Sequence, residues 1–246
     1  MSTAEGIIDH AGWGATPLYR KFLNARSPLR LLEKGLHGGL GPGNIGIFLA
    51  GHGVGKGAVL VGVALDELLR SGNVLHVSLT ETVAHVRAHY DTVFEDLAAT
   101  THLDDPISVH AEIDRRRSIR VYAPNVFSAS KLREAVKLET EAGKKPSLVI
   151  IEGEDFDSAE RADFEDFKAL AEELAAEIWL SAQCKNERGV TVPESIARLD
   201  DLVSVIVALE PSEGAVELRA FKDHENPDVS DLHVALDPRT LLLKRS

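Results

Sequence analysis

The chain has 246 residues, of which 44% are hydrophobic and 27% charged, and its net charge at pH 7 is −12. This is the composition of an ordinary globular protein. It disfavours a function in nucleic-acid binding, which usually needs a basic surface, and it includes no apolar run near the roughly 18 residues of a membrane span. The first residues lack the pattern of a signal peptide and Cys184 is the single cysteine, so we expect a cytoplasmic location.

Short apolar runs alternate with helical patterns through the middle of the chain. Five runs are continuously apolar, as in strands that are covered on both faces: 45–50, 73–79, 119–123, 148–151 and 178–182. Between them, apolar residues recur every three or four positions, as on amphipathic helices. This alternation predicts an α/β fold with a doubly wound, mostly parallel sheet and helices on both faces.

The pattern changes after Pro211. Residues 215–221 alternate between apolar and polar, and 232–236 and 240–244 are short strand-like segments between turn-rich stretches. These features predict antiparallel strands at the C-terminal end of the sheet. We predict one domain, residues 26–246, preceded by an N-terminal arm at 1–25.

A glycine-rich loop, in the stretch LAGHGVGKGA, follows the first predicted strand and precedes a predicted helix at 58–69. Its candidate phosphate-binding residues are Gly51, His52, Gly53, Val54, Gly55, Lys56 and Gly57. Amides turned inward at glycines, a helix N-terminus and a lysine are the parts of a loop that holds ATP or ADP by its phosphates. A plain strand-to-helix turn is the alternative.

The end of this loop lacks a metal ligand. A phosphate-binding loop normally ends Gly-Lys-Ser or Gly-Lys-Thr, and the hydroxyl binds Mg²⁺ between the β- and γ-phosphates. Here Gly57 follows Lys56, and neither Gly57 nor Ala58 offers a ligand. We therefore expect binding of Mg²⁺ to suffer more than binding of phosphate.

Two carboxylates follow predicted strands. Glu152 ends the apolar run LVII, which is typical of a strand that delivers an acid beside the loop, where it holds Mg²⁺ through water. Glu81 follows the second strand, where a carboxylate can orient a water for attack on the γ-phosphate. The alternative for Glu81 is the first turn of a helix with Thr80 as its N-cap.

For two clusters of charged or metal-binding residue types we favour an interpretation without a binding role. The one candidate for contact with nucleic acid is a cluster of four arginines, Arg115, Arg116, Arg117 and Arg120. We interpret this cluster as a solvated turn before a strand. His85 and His89 have the spacing of metal ligands on a helix, and we interpret them as part of a solvated face.

Taken in order, the motifs resemble those of the RecA-like ATPases, most closely the KaiC/RadA group. The likeness covers GLHGGLGPGNIGIFLAGHGVGKG, VLHVSLTET, LVIIEGEDF, WLSAQ and AFKDH, and spans roughly residues 29–244. It implies a RecA-like core, ATP in the loop and frequent assembly into hexameric rings or filaments. By this resemblance Lys56 is the phosphate lysine, Glu152 the metal-associated acid where the family commonly has Asp, and Gln183 the polar sensor on the neighbouring strand.

The chain departs from the family at two places besides Gly57, where the loop lacks its usual hydroxyl. The family often has two consecutive glutamates after the second strand, and only Glu81 remains here, after Thr80. Lys222 and His224 resemble a Lys-x-Arg pair that reaches a neighbouring subunit's γ-phosphate, with histidine in place of the arginine. All these changes fall on metal handling and hydrolysis.

The resemblance and its departures together predict a degenerate family member. We expect weak or no binding of ATP or ADP, little or no hydrolysis, and a regulatory or scaffold role through protein partners or self-assembly. One alternative is an active ATPase that works as an oligomer, with Glu81 and Glu152 compensating for the lost hydroxyl. Another is a relative of the single-stranded DNA-binding recombinases and helicases, which the acidic charge and the aromatic content of 5% disfavour.

Overall fold

The computed structural model describes residues 29–186, 189–227, 229 and 231–246, so the predicted arm at 1–25 lies outside the described residues. The described chain forms a mixed sheet of nine strands. They are β1 Ile45–Ala50, β2 Val74–Ser78, β3 Arg117–Val121, β4 Leu148–Glu152, β5 Glu177–Gln183, β6 Val205–Ser212, β7 Ala215–Asp223, β8 Asp231–Leu236 and β9 Leu243–Arg245. Their order across the sheet is β3-β2-β4-β5-β1-β6-β7-β8-β9.

Seven helices of the described chain cover this sheet. They are α1 Leu29–Gly35, α2 Lys56–Leu69, α3 Val83–Thr101, α4 Pro106–Arg116, α5 Ala129–Glu141, α6 Arg161–Leu174 and α7 Glu194–Ala197. Helices α1 to α4 pack into one apolar cluster and α5 to α7 into a second, on the opposite face. The predicted α/β class with helices on both faces is confirmed. Within the described residues, none of the helices combines the length and the apolar sequence needed to cross a membrane.

The sheet is parallel from β3 to β6 and antiparallel from β6 to β9. All six residues of β1 are buried, which explains its continuously apolar sequence. The predicted antiparallel strands near the C-terminus are confirmed. Strand β6, which pairs with β1, was missed because Pro211 was taken as a boundary. Pro211 lies beyond the pairing with β1 and faces Val216 of β7 alone, so its missing N–H is tolerated there.

The arginines do not lie in the solvated turn that the sequence analysis favoured. Helix α4 runs directly into β3, which begins at Arg117, two residues earlier than predicted. Arg117 is buried, pairs with Asp114 and lies over the ring of Tyr90, with its guanidinium carbon 4.5 Å from the ring centroid. Arg120 donates to Glu139 at 2.8 Å. The prediction failed because charged partners and an aromatic face allow an arginine into the interior.

Candidate functional site

A cavity of 1160 Å³ lies at the carboxyl ends of the parallel strands. Loops that follow β1, β2, β4 and β5 line it, as expected for a parallel sheet, whose ligands bind at this edge. The cavity brings together the loop residue Lys56 and the predicted residues Glu81, Glu152 and Gln183 of three other segments. In the sequence they are spread over more than a hundred positions, and the parallel strand order unites them.

The glycine-rich loop spans the gap between β1 and α2, and its backbone conformation requires glycine. Gly53 and Gly55 have φ angles of 73° and 112°, values that residues with a side chain rarely adopt. Gly55 is the N-cap of α2, and it has no side chain with which to cap the first amides of the helix. Those amides and the positive end of the helix dipole are therefore open to an anion.

Not every residue of the predicted loop faces the cavity. His52, Gly53, Gly55, Lys56 and Gly57 line it. Gly51 is buried and Val54 packs into the apolar cluster beneath the loop. These two shape the loop from behind.

Lys56 is held at the base of the loop by backbone oxygens. Its ammonium donates hydrogen bonds to the carbonyls of Ala50 at 3.1 Å and Gly51 at 2.8 Å. Burial lowers the pKa of Lys56, and the nearby Cys184 and Glu152 only partly oppose this. A phosphate in the loop would favour the charged form of this half-buried lysine, because an anion offsets the loss of hydration.

Two side chains crowd the first turn of α2 beside Gly57. A β-carbon added to Gly57 would lie 2.9 Å from Oε1 of Glu152 and 3.1 Å and 3.4 Å from Cε1 and Nδ1 of His89. The space that a side chain at residue 57 needs therefore holds a carboxylate and an imidazole.

Glu152 faces a buried histidine that the sequence analysis did not select. Nε2 of His76 lies 3.4 Å from Oε2 of Glu152, too far for a well-formed hydrogen bond, and has no hydrogen-bond partner in the described part of the chain. Burial raises the pKa of Glu152, but His76, His89 and Lys56 outweigh it, so the pKa lies below its ordinary value. His76 was missed because it lies within an apolar strand that is buried on both faces. Such a strand has no alternation of polar and apolar residues that would indicate where His76 points.

Glu81 begins a short polar network at the mouth of the cavity. Its carboxylate lies 3.0 Å from Nδ1 of His85, and its amide donates to Oγ of Ser78 at 3.0 Å. The capping alternative named the wrong threonine. Thr82 is the N-cap of α3 and accepts a hydrogen bond from the amide of His85, since the helix begins at Val83.

The solvated-face interpretation is wrong for His89. This side chain is half-buried and lines the cavity, and burial lowers its pKa. His85, one turn earlier, is 67% exposed. Within the described ranges, no cluster of three or more His, Cys, Asp or Glu side chains is arranged to hold a metal ion.

The other two predicted catalytic residues lie apart from each other. Gln183 is exposed at the end of β5, directly opposite Ala50 in the parallel register, and lines the cavity. Lys222 lies on β7, where its ammonium pairs with the Asp200 carboxylate at 3.0 Å. Lys222 is not among the residues that line the cavity. Its predicted role concerns a second copy of the chain and stays a prediction.

Glu154 is a further cavity residue that the sequence analysis did not select. Its Oε2 atom is buried, with no hydrogen-bond partner among the residues that the structure describes. Burial, together with the charges of Asp163 and Asp155, raises the pKa of Glu154 to about 7. The acid-rich run after β4, EGEDFD, was the available signal, but it gives no indication of which acid is buried.

The site suits the phosphates of a nucleotide better than it suits a magnesium ion. The uncapped helix, the glycine conformations and Lys56 fit an anion, whereas Glu152 and His89 fill the space beside Gly57 where a metal-binding hydroxyl would stand. No family model matches the chain, and no curated protein matches it significantly.

Proposed function

We propose that the protein is a degenerate RecA-like protein of the KaiC/RadA kind that binds ATP or ADP in this cavity and hydrolyses it slowly or not at all. The observation that carries the proposal is the loop from Gly51 to Gly57. It joins a central parallel strand to an uncapped helix, has glycines at positive φ, and places Lys56 in the cavity. Binding of nucleotide then controls contacts with protein partners or with other copies of the chain.

The arrangement of the strands supports the RecA-like resemblance. Strand β5, which carries Gln183, lies between β1, which leads into the loop, and β4, which ends at Glu152. The motifs that resemble the phosphate lysine, the polar sensor and the acid therefore stand side by side at one edge of the sheet.

Three features support weak hydrolysis. Gly57 supplies no metal ligand, and Thr80 stands where the family often has a first glutamate. His224, in place of the family's arginine, is occupied within the chain, with its ring nitrogens 2.9 Å from a carboxylate oxygen of Asp223 and 3.0 Å from the carbonyl oxygen of Leu40.

The four arginines that the DNA-binding alternative needs do not form an exposed basic cluster. Arg117 is buried, Arg120 is bonded to Glu139, and Arg116 donates to the carbonyl of Ser71 at 2.7 Å. Of the four arginines, Arg115 is the exposed one. A single exposed arginine on an acidic protein is weak support for a nucleic-acid surface.

A second candidate, an active ATPase, is favoured by Glu154. A carboxylate in the cavity with a pKa of about 7 is suited to accept a proton from water near neutral pH. Release of inorganic phosphate from ATP that is abolished in Glu154→Gln, with nucleotide affinity unchanged, would establish this activity.

The test of the proposed function is calorimetric titration of the purified protein with ATP and with ADP. Lys56→Ala should weaken the binding of both by about tenfold or more, because a half-buried ammonium is lost from the phosphate loop. Lys185→Ala is the matched control, since Lys185 also lines the cavity but is exposed and lies outside the loop. Wild-type protein that binds neither nucleotide would refute the proposal.

A further inference from the structure

We propose that the site takes its nucleotide as the free anion, without magnesium, because Gly57 offers no metal ligand and the imidazole of His89 borders the loop in its place. The inference rests on the proposed function, because it concerns the same loop and the same ligand. It names residues that set the chemical form of the ligand.

The space beside Gly57 carries the first step. The point that a β-carbon at residue 57 would occupy is within 3.4 Å of both Glu152 and His89. A hydroxyl-bearing side chain could enter only if one of them moved. The absence of a hydroxyl at residue 57 and the positions of these two side chains therefore depend on each other.

Helix propensity shows that the glycine is retained against a local preference. Gly57 lies in the first turn of α2 and its φ is not positive, so its backbone conformation does not require glycine. Alanine is generally favoured over glycine in a helix. A side chain at this position would have to displace the carboxylate of Glu152 and shift the imidazole of His89.

Protein groups can take over the interactions that a metal would make with phosphate. Lys56 supplies an ammonium, and the imidazoles of His89 and His76 both line the cavity. His76 is fully buried, and within the described chain its Nε2 has no hydrogen-bond partner. Oε2 of Glu152 stands 3.4 Å from this atom, too far for a well-formed hydrogen bond, so a polar ligand in the cavity would satisfy the buried nitrogen.

The carboxylate of Glu152 makes the proposal testable, because the direction in which nucleotide affinity changes on removal of its charge depends on whether a metal is bound. An acid that holds a metal ion strengthens the binding of the magnesium complex, so removal of its charge weakens binding. In the site proposed here, Glu152 stands at the uncapped end of α2 with no metal between it and the phosphates. Removal of its charge then relieves repulsion and strengthens binding.

The experiment measures ATP and ADP affinity by calorimetry in excess Mg²⁺ and in EDTA, for the wild-type protein and for Glu152→Gln. We expect wild-type affinities that agree within about threefold in the two conditions, and a gain of about threefold or more in EDTA for Glu152→Gln. Glu194→Gln is the control. It changes the charge of the same cavity by the same amount, from helix α7.

A second pair of variants tests His89 separately. His89→Ala should weaken binding in EDTA by about fivefold or more, because the imidazole borders the loop, whereas His85→Ala should change it by less than about twofold. Both histidines are on α3 and line the cavity, but His85 is exposed and paired with Glu81.

The outcomes separate this inference from the proposed function. Binding that Mg²⁺ strengthens by about tenfold or more, or that Glu152→Gln weakens, overturns the metal-free site and leaves the nucleotide-binding function intact. No binding in either condition overturns the proposed function, and the inference falls with it. Equal losses in His89→Ala and His85→Ala also overturn the role assigned to His89.

Discussion

The hydroxyl of Tyr90 and Nδ1 of His76 lie 3.1 Å apart and share a hydrogen bond inside the core. Tyr90 is on α3 and His76 on β2, so the bond joins a helix to the sheet directly beneath the cavity. The ring of Tyr90 also lies under the guanidinium of Arg117. A buried row of polar contacts thus leads from Arg117 on the edge strand β3, through Tyr90 and His76, towards Glu152 in the candidate site.

Tyr90→Phe should destabilise the protein by about 1–3 kcal/mol. The substitution removes a hydroxyl but keeps the ring, which leaves a buried imidazole nitrogen without its partner. Urea denaturation measures the change in the free energy of unfolding. The control is Tyr122→Phe, where a half-buried ring packs on Phe127, with 5.7 Å between ring centroids. Equal effects of the two substitutions would show that the bond to His76 contributes nothing specific.

Arg117→Met should destabilise the protein by about 2–4 kcal/mol. The substitution leaves Asp114 without its buried partner and removes the cation that lies over Tyr90. Arg115→Met should change stability by less than about 0.5 kcal/mol, because Arg115 is exposed. If the four arginines instead formed a surface for nucleic acid, both substitutions would leave stability unchanged and both would weaken binding of single-stranded DNA.

The fold class could be predicted because buried parallel strands leave a strong signal. The runs at 45–50 and 148–151 are apolar throughout, and β1 is buried along its whole length. Edge strand β3 gave a weaker signal, since it begins with a buried arginine that packs on the ring of Tyr90, a residue distant in the sequence. Strand β6 was missed because one proline outweighed an apolar run.

The site could be predicted where local sequence determines geometry. The loop around Lys56 was identified because glycine spacing and a following helix are adjacent in sequence. His76, His89 and Glu154 were not selected, because their importance depends on which strands and helices pack together. Nothing local distinguishes a half-buried histidine from an exposed one, as His89 and His85, one helical turn apart, demonstrate.

Glu154 should make the stability of the protein depend on pH. Its pKa is raised from 4.5 to about 7 in the folded state, so the folded protein binds more protons than the unfolded chain between these values. Stability is therefore highest below the lower pKa and falls as pH rises towards the upper one. Glu154→Gln removes this decline. The variant should match the wild type at about pH 4 and exceed it by on the order of 1 kcal/mol at about pH 8, after allowance for solvent on the exposed side of the group.

Thermal or urea unfolding at the two pH values measures this difference. Glu194→Gln, in the same cavity, is the control for a general change of charge. A gain in stability that is the same at both pH values would contradict the assignment, because a neutral glutamine can differ from Glu154 only where the carboxylate is ionised.

Gly55 and Gly53 provide a test of whether the loop requires its observed conformation. Both have positive φ, but a β-carbon at Gly55 would lie 2.6 Å from Cδ2 of the buried Leu236, while the same atom at Gly53 has open space within 4 Å. Gly55→Ala therefore combines backbone strain with a steric clash and should cost about 2–4 kcal/mol of folding free energy. Gly53→Ala carries the strain alone and should cost about 1 kcal/mol. Urea denaturation distinguishes the two, and equal small losses would mean that the loop rearranges freely and does not hold its amides ready for phosphate.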